Sequence, residues 1–188
     1  MKGYIALALL LVLAGCGQQP QHARTSSAAA SQRGDACTAF ATRNWAIGQQ
    51  TYRVDASAHG PTCGAAQVTL VLRAPDDGVL FSKTYRTSEI TLSFNPTADQ
   101  SVLNDDLNLW IENQAPGADA SALPEWPADA ERPPHFQPAV ARSAYERARA
   151  ARQALYCYPD GGESNACVAV DTAAHAAALL GSRTPEHP

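Results

Sequence analysis

Residues 51–86, TYRVDASAHGPTCGAAQVTLVLRAPDDGVLFSKTYR, decide what kind of fold this chain can adopt. Apolar and polar residues alternate along them with the two-residue period of a strand buried on one face. In 51–58 the alternation places Tyr52, Val54 and Ala56 together, and in 66–73 it places Val68, Leu70 and Leu72 together. In 79–86 it aligns Val79, Phe81 and Tyr85, and EITLSF (89–94) continues it with Ile90, Leu92 and Phe94. The stretches HGPTCG and APDDG between them carry the Asp, Pro and Gly that tight turns require. Four strands on short connections predict an antiparallel β-meander.

Downstream the period changes. Leu103, Leu107, Trp110 and Ile111 recur at helical spacing, with Asn95 or Thr97 placed to cap the helix and Pro96 tolerated in its first turn. This predicts an amphipathic helix laid on one face of the sheet. Residues 115–138 hold many of the 13 prolines and fit no regular element. Leu123, Trp126 and Phe136 are costly to leave in water, so the segment is expected to be extended and pinned to the surface by them.

AVARSAYERARAARQAL (139–155) favours helix throughout, with Ala144, Ala148, Ala151 and Leu155 as its apolar stripe and Arg142, Glu146 and Arg149 on its wet side. YCYPDGGESNACVAV then reads as a hairpin with Cys157 facing Cys167, and TAAHAAALL (172–180) as a short helix stopped at Gly181. The predicted class is α+β: an antiparallel β-meander with packed helices and a C-terminal disulfide-linked hairpin. It forms one domain over 37–181, with 182–188 as a disordered tail.

The chain has 188 residues and five cysteines. Setting Cys16 aside leaves Cys37, Cys63, Cys157 and Cys167, an even set that suits structural bridges in an oxidising compartment. Four cysteines allow three pairings; proximity and the hairpin favour Cys37–Cys63 and Cys157–Cys167. No C-x-x-C pair or clustered histidine supports zinc as the alternative.

Residues 1–16, MKGYIALALLLVLAGC, have a basic start, an apolar core of about ten residues and small residues before the cysteine, the proportions of a secretory signal. The core is half the length that crosses a membrane. Leu13-Ala14-Gly15-Cys16 resembles the bacterial lipobox, where the signal is cut before a cysteine that then carries a diacylglycerol and an acylated amino group. The resemblance implies a signal peptide over 1–15, lipidation at Cys16 with fatty acids such as palmitate, and a lipid-anchored envelope protein. Gly17 in place of Asp implies the outer membrane, facing the periplasm. Residues 16–36 lack a hydrophobic period and read as a flexible tether; about twenty such residues span roughly 25 Å.

The formal net charge is −4 with 14 Lys and Arg, and only Lys2 and Lys83 are lysines, which argues against nucleic acid as a partner. Neither catalytic residues nor a cofactor or metal site is expected. GESNA (162–166) only partly matches a nucleophile elbow and lies in a hairpin loop instead of a strand-to-helix turn. His59, His135 and His175 are scattered, and Asp105-Asp106 has no calcium-loop pattern around it. Trp126, Tyr156, Tyr158, Arg142 and Arg149 are the candidate interface residues, with core packing as the alternative for the aromatics and a solvated face for the arginines.

The functional expectation is a non-catalytic envelope lipoprotein that binds another macromolecule, an envelope protein partner. An inhibitor or immunity-type protein against a wall-degrading enzyme, an envelope hydrolase and an assembly factor are the alternatives. Small disulfide-bonded inhibitor lipoproteins resemble this build only in architecture. A Cys16→Ala chain expressed in bacteria is expected to lose fatty-acid labelling and membrane retention; labelling equal to wild type refutes the lipobox assignment.

Overall fold

A computed structural model describes residues 36–184. The signal segment, Cys16, the tether up to residue 35 and residues 185–188 of the tail lie outside the described residues. Two four-stranded antiparallel sheets and two helices make up the fold, so it is α+β but mostly sheet. The first sheet contains β1 (Cys37–Ile47), β2 (Gln50–Gly60), β3 (Gln67–Arg73) and β4 (Val79–Arg86) in chain order. Its inner face is the one the alternation defines: Val54, Val68, Leu70 and Leu72 have no exposed surface.

Two parts of this sheet differ from expectation. β1 is a full strand of 11 residues paired along its length with β2. Its inward positions include Cys37, Ala39 and Ala41, too small to register as a hydrophobic stripe. Gly48, at φ +59°, takes the first central position of the two-residue β1–β2 loop, where a left-handed glycine matches the twist of the strands. Residues 89–94 are not a strand. Thr87–Glu89 is a single 3-10 turn, and the Phe94 amide bonds back to the Ile90 carbonyl at 3.2 Å. That turn puts Ile90 and Phe94 in the core and leaves Leu92 at 70% exposure.

α1 (Gln100–Trp110) is capped by neither Asn95 nor Thr97: the Asp99 carboxylate accepts the Ser101 and Val102 amides at 2.9 Å. Leu103, Leu107, Trp110 and Ile111 face the core as predicted. The Gln100 amide bonds both the N–H and the carbonyl of Thr38, imitating one further strand residue beside β1.

The second sheet has the order β5-β8-β7-β6, from β5 (Phe136–Pro138), β6 (Ala154–Pro159), β7 (Asn165–Asp171) and β8 (Ala176–Arg183). It is the middle layer. Tyr156, Tyr158, Val168 and Val170 pack toward the first sheet and α1. On the other face Leu155, Ala169 and Leu180 join a second core, with Tyr145 and Ala148 of α2 (Arg142–Ala150). A strand buried on both faces has no polar parity, which explains the near-continuous apolar runs of β6 and β7.

The helix expected over 172–180 is instead the turn and β8, paired between β5 and β7, and its strand continues through Ser182 and Arg183. His175 sits in that turn at φ +49°. Alanine has the highest helix propensity, but the advantage is only tenths of a kcal/mol per residue, and a central strand position outweighs it. The helix expected over 139–155 is likewise shorter: it ends at Ala150, Arg152 takes a left-handed φ of +50°, and Leu155 belongs to β6.

Both disulfides follow the local pairing, Cys37–Cys63 across 26 residues and Cys157–Cys167 across directly opposed positions of the β6–β7 hairpin. In the chain-entropy model each contributes about 3 kcal/mol. The outer edge of β6 is closed by residues 113–120: the Gln114 amide donates to the Cys157 carbonyl at 2.8 Å, and the Asn113 side chain accepts from the Cys157 amide at 3.0 Å. Among the described residues no helix is long and apolar enough to cross a membrane.

Gly181 is the tightest point of the second sheet. It has φ +149°, and a Cβ there would collide with the Gln137 carbonyl and the Phe136 ring. Gly181→Ala is expected to cost at least about 2 kcal/mol in denaturant unfolding. An unchanged midpoint would show that β5 does not press on β8.

Candidate functional site

Three of the five sequence-nominated interface residues meet, and what they build is a clamp. Prolines at 124, 127, 133 and 134 deprive the segment before β5 of backbone donors and of regular structure, so its carbonyls need outside partners. α2 supplies them. Arg142 donates to the carbonyls of Trp126 at 2.9 Å, Pro127 at 3.1 Å and Ala128 at 3.2 Å. Arg149 donates to Leu123 at 3.1 Å, and the Tyr145 hydroxyl to Pro124 at 2.7 Å. Burial pushes the Tyr145 hydroxyl up to about 12, so it stays a donor at any physiological pH. Trp126, half-buried, stands edge-on to Tyr145 at 5.7 Å with the Arg142 guanidinium 5.8 Å over its ring. Leu123 and Phe136 are buried, the anchoring expected of them.

Tyr156 and Tyr158 lie in the interior at 1% and 0% exposure. The Tyr156 hydroxyl donates to the Ile111 carbonyl at 2.6 Å, and the Tyr158 hydroxyl pairs with that of Tyr85 at 3.1 Å. Burial raises the pKa of both.

The residues considered for chemistry are dispersed. Ser164 donates to Asp160 at 2.7 Å and closes the β6–β7 loop; Ser182 of β8 bonds the other oxygen of the same carboxylate. His59 is on the exposed face of β2, His135 precedes β5 at φ +51°, and His175 is in the β7–β8 turn. Asp106 accepts the Asn95 amide at 3.0 Å, while Asp105 is exposed. Among the described residues no group of three or more His, Cys, Asp or Glu side chains is arranged to hold a metal ion. An open trough of about 500 Å³ runs beside Arg132, His135 and Gln137, and a groove of about 270 Å³ floored by Ala148, Ala169 and Leu180 separates α2 from β8.

The most organised polar constellation is on the outer face of the first sheet. Register aligns Thr42, Asp55, Val71 and Ser82 in one row, and Asn44, Arg53, Arg73 and Val79 in the next. Asp55 accepts from Thr42 Oγ1 at 2.8 Å, Arg53 Nε at 3.0 Å and Arg73 Nε at 2.8 Å. The same arginines reach the β3–β4 turn, Arg53 to the Asp77 carboxylate at 2.7 Å and Arg73 to its carbonyl at 3.1 Å. Two guanidiniums lying across Asp55 leave it only 8% exposed although it points outward. Burial pushes its carboxyl up, but the hydrogen bonds from Thr42, Arg73 and Arg53 together outweigh that and hold it below the usual carboxylate range.

None of Arg53, Asp55 and Arg73 was among the sequence candidates. The available signal was positional: Arg53 and Asp55 occupy the parity opposite Tyr52, Val54 and Ala56, and Arg73 closes the following strand. Set against known proteins, the chain matches no family model, no curated protein and no solved structure.

Asp55 titrates below its unfolded value of about 3.9, so its stabilisation is complete above that pH and is lost as the pH falls through the folded value. Asp55→Asn is expected to cost about 2 kcal/mol at pH 7 by urea unfolding and to flatten the acid limb of stability below pH 4. An acid limb identical to wild type would refute this role.

Proposed function

We propose that this chain is a lipid-anchored envelope module, held at the outer membrane through Cys16, that binds another macromolecule and performs no catalysis. The supporting observation is where apolar surface remains. Leu92, on the loop before α1, and Leu109, on α1 itself, are 70% and 65% exposed. Meanwhile no buried side-chain nitrogen or oxygen among the described residues lacks a hydrogen-bond partner. A domain that satisfies its interior so fully yet leaves large side chains in water is suited to covering them with a partner. The lipobox at residues 13–16 and the tether to residue 36 supply the address and the reach.

The polar groups favour binding over turnover. Arg142, Arg149 and Asp55 are spent on internal carbonyls and guanidiniums, and Ser164 on closing a loop. Capture from detergent-solubilised envelopes, with the intact lipidated protein as bait and crosslinking before lysis, is expected to recover a specific protein partner. Recovery of none, together with turnover of a wall or lipid substrate, overturns the proposal in favour of a hydrolase.

A further inference from the structure

α1 is amphipathic on its buried side and unusual on the other. Leu103, Leu107, Trp110 and Ile111 face the core, which directs positions 102, 105 and 109 to the opposite side of the helix. Those positions are Val102, Asp105 and Leu109, and Val102 and Leu109 are 36% and 65% exposed. α2 provides the contrast within the same molecule: its exposed positions are Ser143, Glu146, Arg147 and Ala150, an ordinary solvated face. The loop beside α1, tied to it by the Asn95–Asp106 hydrogen bond, carries Leu92, the most exposed large apolar side chain described.

The charged side chains that α1 and its two flanks themselves carry have one sign. Asp99, Asp105, Asp106 and Glu112 lie on or beside α1, and from residue 87 to residue 131 the chain has no lysine, arginine or histidine; the later acids Asp119 and Glu125 pair with Arg152 and Arg149 instead. Asp99 and Asp106 spend oxygens on backbone amides, which satisfies them as acceptors but supplies no counter-charge. Arg43 reaches the last turn of the helix, the turn that carries Leu109, 3.6 Å from Glu112 and 3.2 Å from the Asn108 carbonyl, and leaves Asp99, Asp105 and Asp106 in the earlier turns without an ion pair to it.

We propose that the Val102–Asp105–Leu109 face of α1 is a docking surface for a cationic, apolar-anchored segment of another protein, one that sets Lys or Arg against Asp99, Asp105 and Asp106 while an aliphatic side chain covers Leu109. Charge complementarity selects that occupant. Anionic lipid headgroups and nucleic acid are repelled by the acidic flank, and so is the same stripe on a second copy of this chain. The apolar pair lies about 10 Å apart along the axis, the length of two helical turns, which matches a helix or short extended segment. The inference rests on the binding-module reading and adds to it the surface and the chemistry of the partner.

The test uses the full-length lipidated protein in non-ionic detergent and a synthetic amphipathic peptide with a leucine face flanked by lysines, with binding followed by calorimetry. The peptide is expected to bind, and Leu109→Ser and Asp105→Lys each to weaken it about tenfold or more. Phe40→Ser, which removes an exposed apolar side chain on the first sheet, should leave it unchanged. Both sites on α1 are exposed, and thermal melts equal to wild type verify that the variants fold. The proposal is overturned if Leu109→Ser binds like wild type, if Phe40→Ser weakens binding equally, or if a glutamate-flanked peptide with the same leucine face binds as well. Sedimentation showing a wild-type dimer that Leu109→Ser dissociates would overturn it too, by naming a second copy as the occupant. Envelope capture that still recovers a partner after such a failure would leave the broader reading standing.

Discussion

Four aromatic side chains with polar ends meet where β4, α1 and β6 converge, Trp110, Tyr156 and Tyr158 buried and Tyr85 partly exposed, and each takes part in a hydrogen bond within the fold. Trp110 donates its indole N–H to the Pro159 carbonyl at 2.7 Å, Tyr156 its hydroxyl to Ile111 at 2.6 Å, and the hydroxyls of Tyr85 and Tyr158 share one hydrogen bond at 3.1 Å. The rings pack edge-on around them: Trp110 lies 5.9 Å from Tyr158, 6.1 Å from Tyr85 and 5.5 Å from Phe94. Such side chains supply much apolar area but tolerate few positions, because an unpaired buried donor costs about 1–3 kcal/mol. The seam therefore fixes the height of α1 against β6 and the placement of the two sheets at once.

Away from that seam, arginine does much of the joining. The acid-only stretch between residues 87 and 131 cannot balance its own charge, and its prolines cannot use their own amides. Cations that follow it in sequence serve both needs. Arg142 and Arg149 gather the carbonyls of 123–128, and Arg152 donates to Asp119 at 2.8 Å. Hydrogen bonds from Ser121 and from Arg152 hold the Asp119 carboxyl at about 2. Arg152 reaches it from the left-handed residue that ends α2. A residue that looks like a basic binding face in one dimension is, folded, a set of donors for an irregular strap. The first sheet repeats the device with Arg53 and Arg73 over Asp55. These commitments leave α1, whose acids face few cations, as the part of the surface with charge to offer.

The strands that could be read in advance were those whose parity separates large apolar from polar residues, as in β2 and β3, or whose cysteines oppose one another, as in β6 and β7. Where the inward residue is alanine the signal fades. Ala39 and Ala41 hide β1, and the alanines of 173–178 mimic a helix where a turn and β8 stand. At 89–94 the spacing of Ile90 and Phe94 suits a turn as well as it suits a strand, and only the exposure of Leu92 separates the two. The site was less legible than the fold. Arg142, Arg149 and Trp126 were visible as a set, but the carbonyls that occupy the arginines lie 14 to 26 residues earlier in the chain. Asp55 showed only its outward parity beside Arg53, because its other two partners, Thr42 and Arg73, come from the neighbouring strands.

Local chemistry by itself determined the turns between β2 and β3 and between β3 and β4, the core face of α1, the inner faces of β2 and β3, the cross-strand position of Cys157 and Cys167, and the absence of regular structure around the prolines. Each depends on backbone geometry or periodicity within about ten residues. The tertiary structure decided the state of the alanine-rich segments and the distant acceptors of Arg142, Arg149 and Arg152. Alanine separates helix from strand by tenths of a kcal/mol per residue. Placing β8 between β5 and β7, with Leu180 buried, is worth several times that through hydrogen bonds and burial. A guanidinium likewise takes the acceptors that folding brings near it, and those acceptors lie too far along the chain for local pattern to reveal.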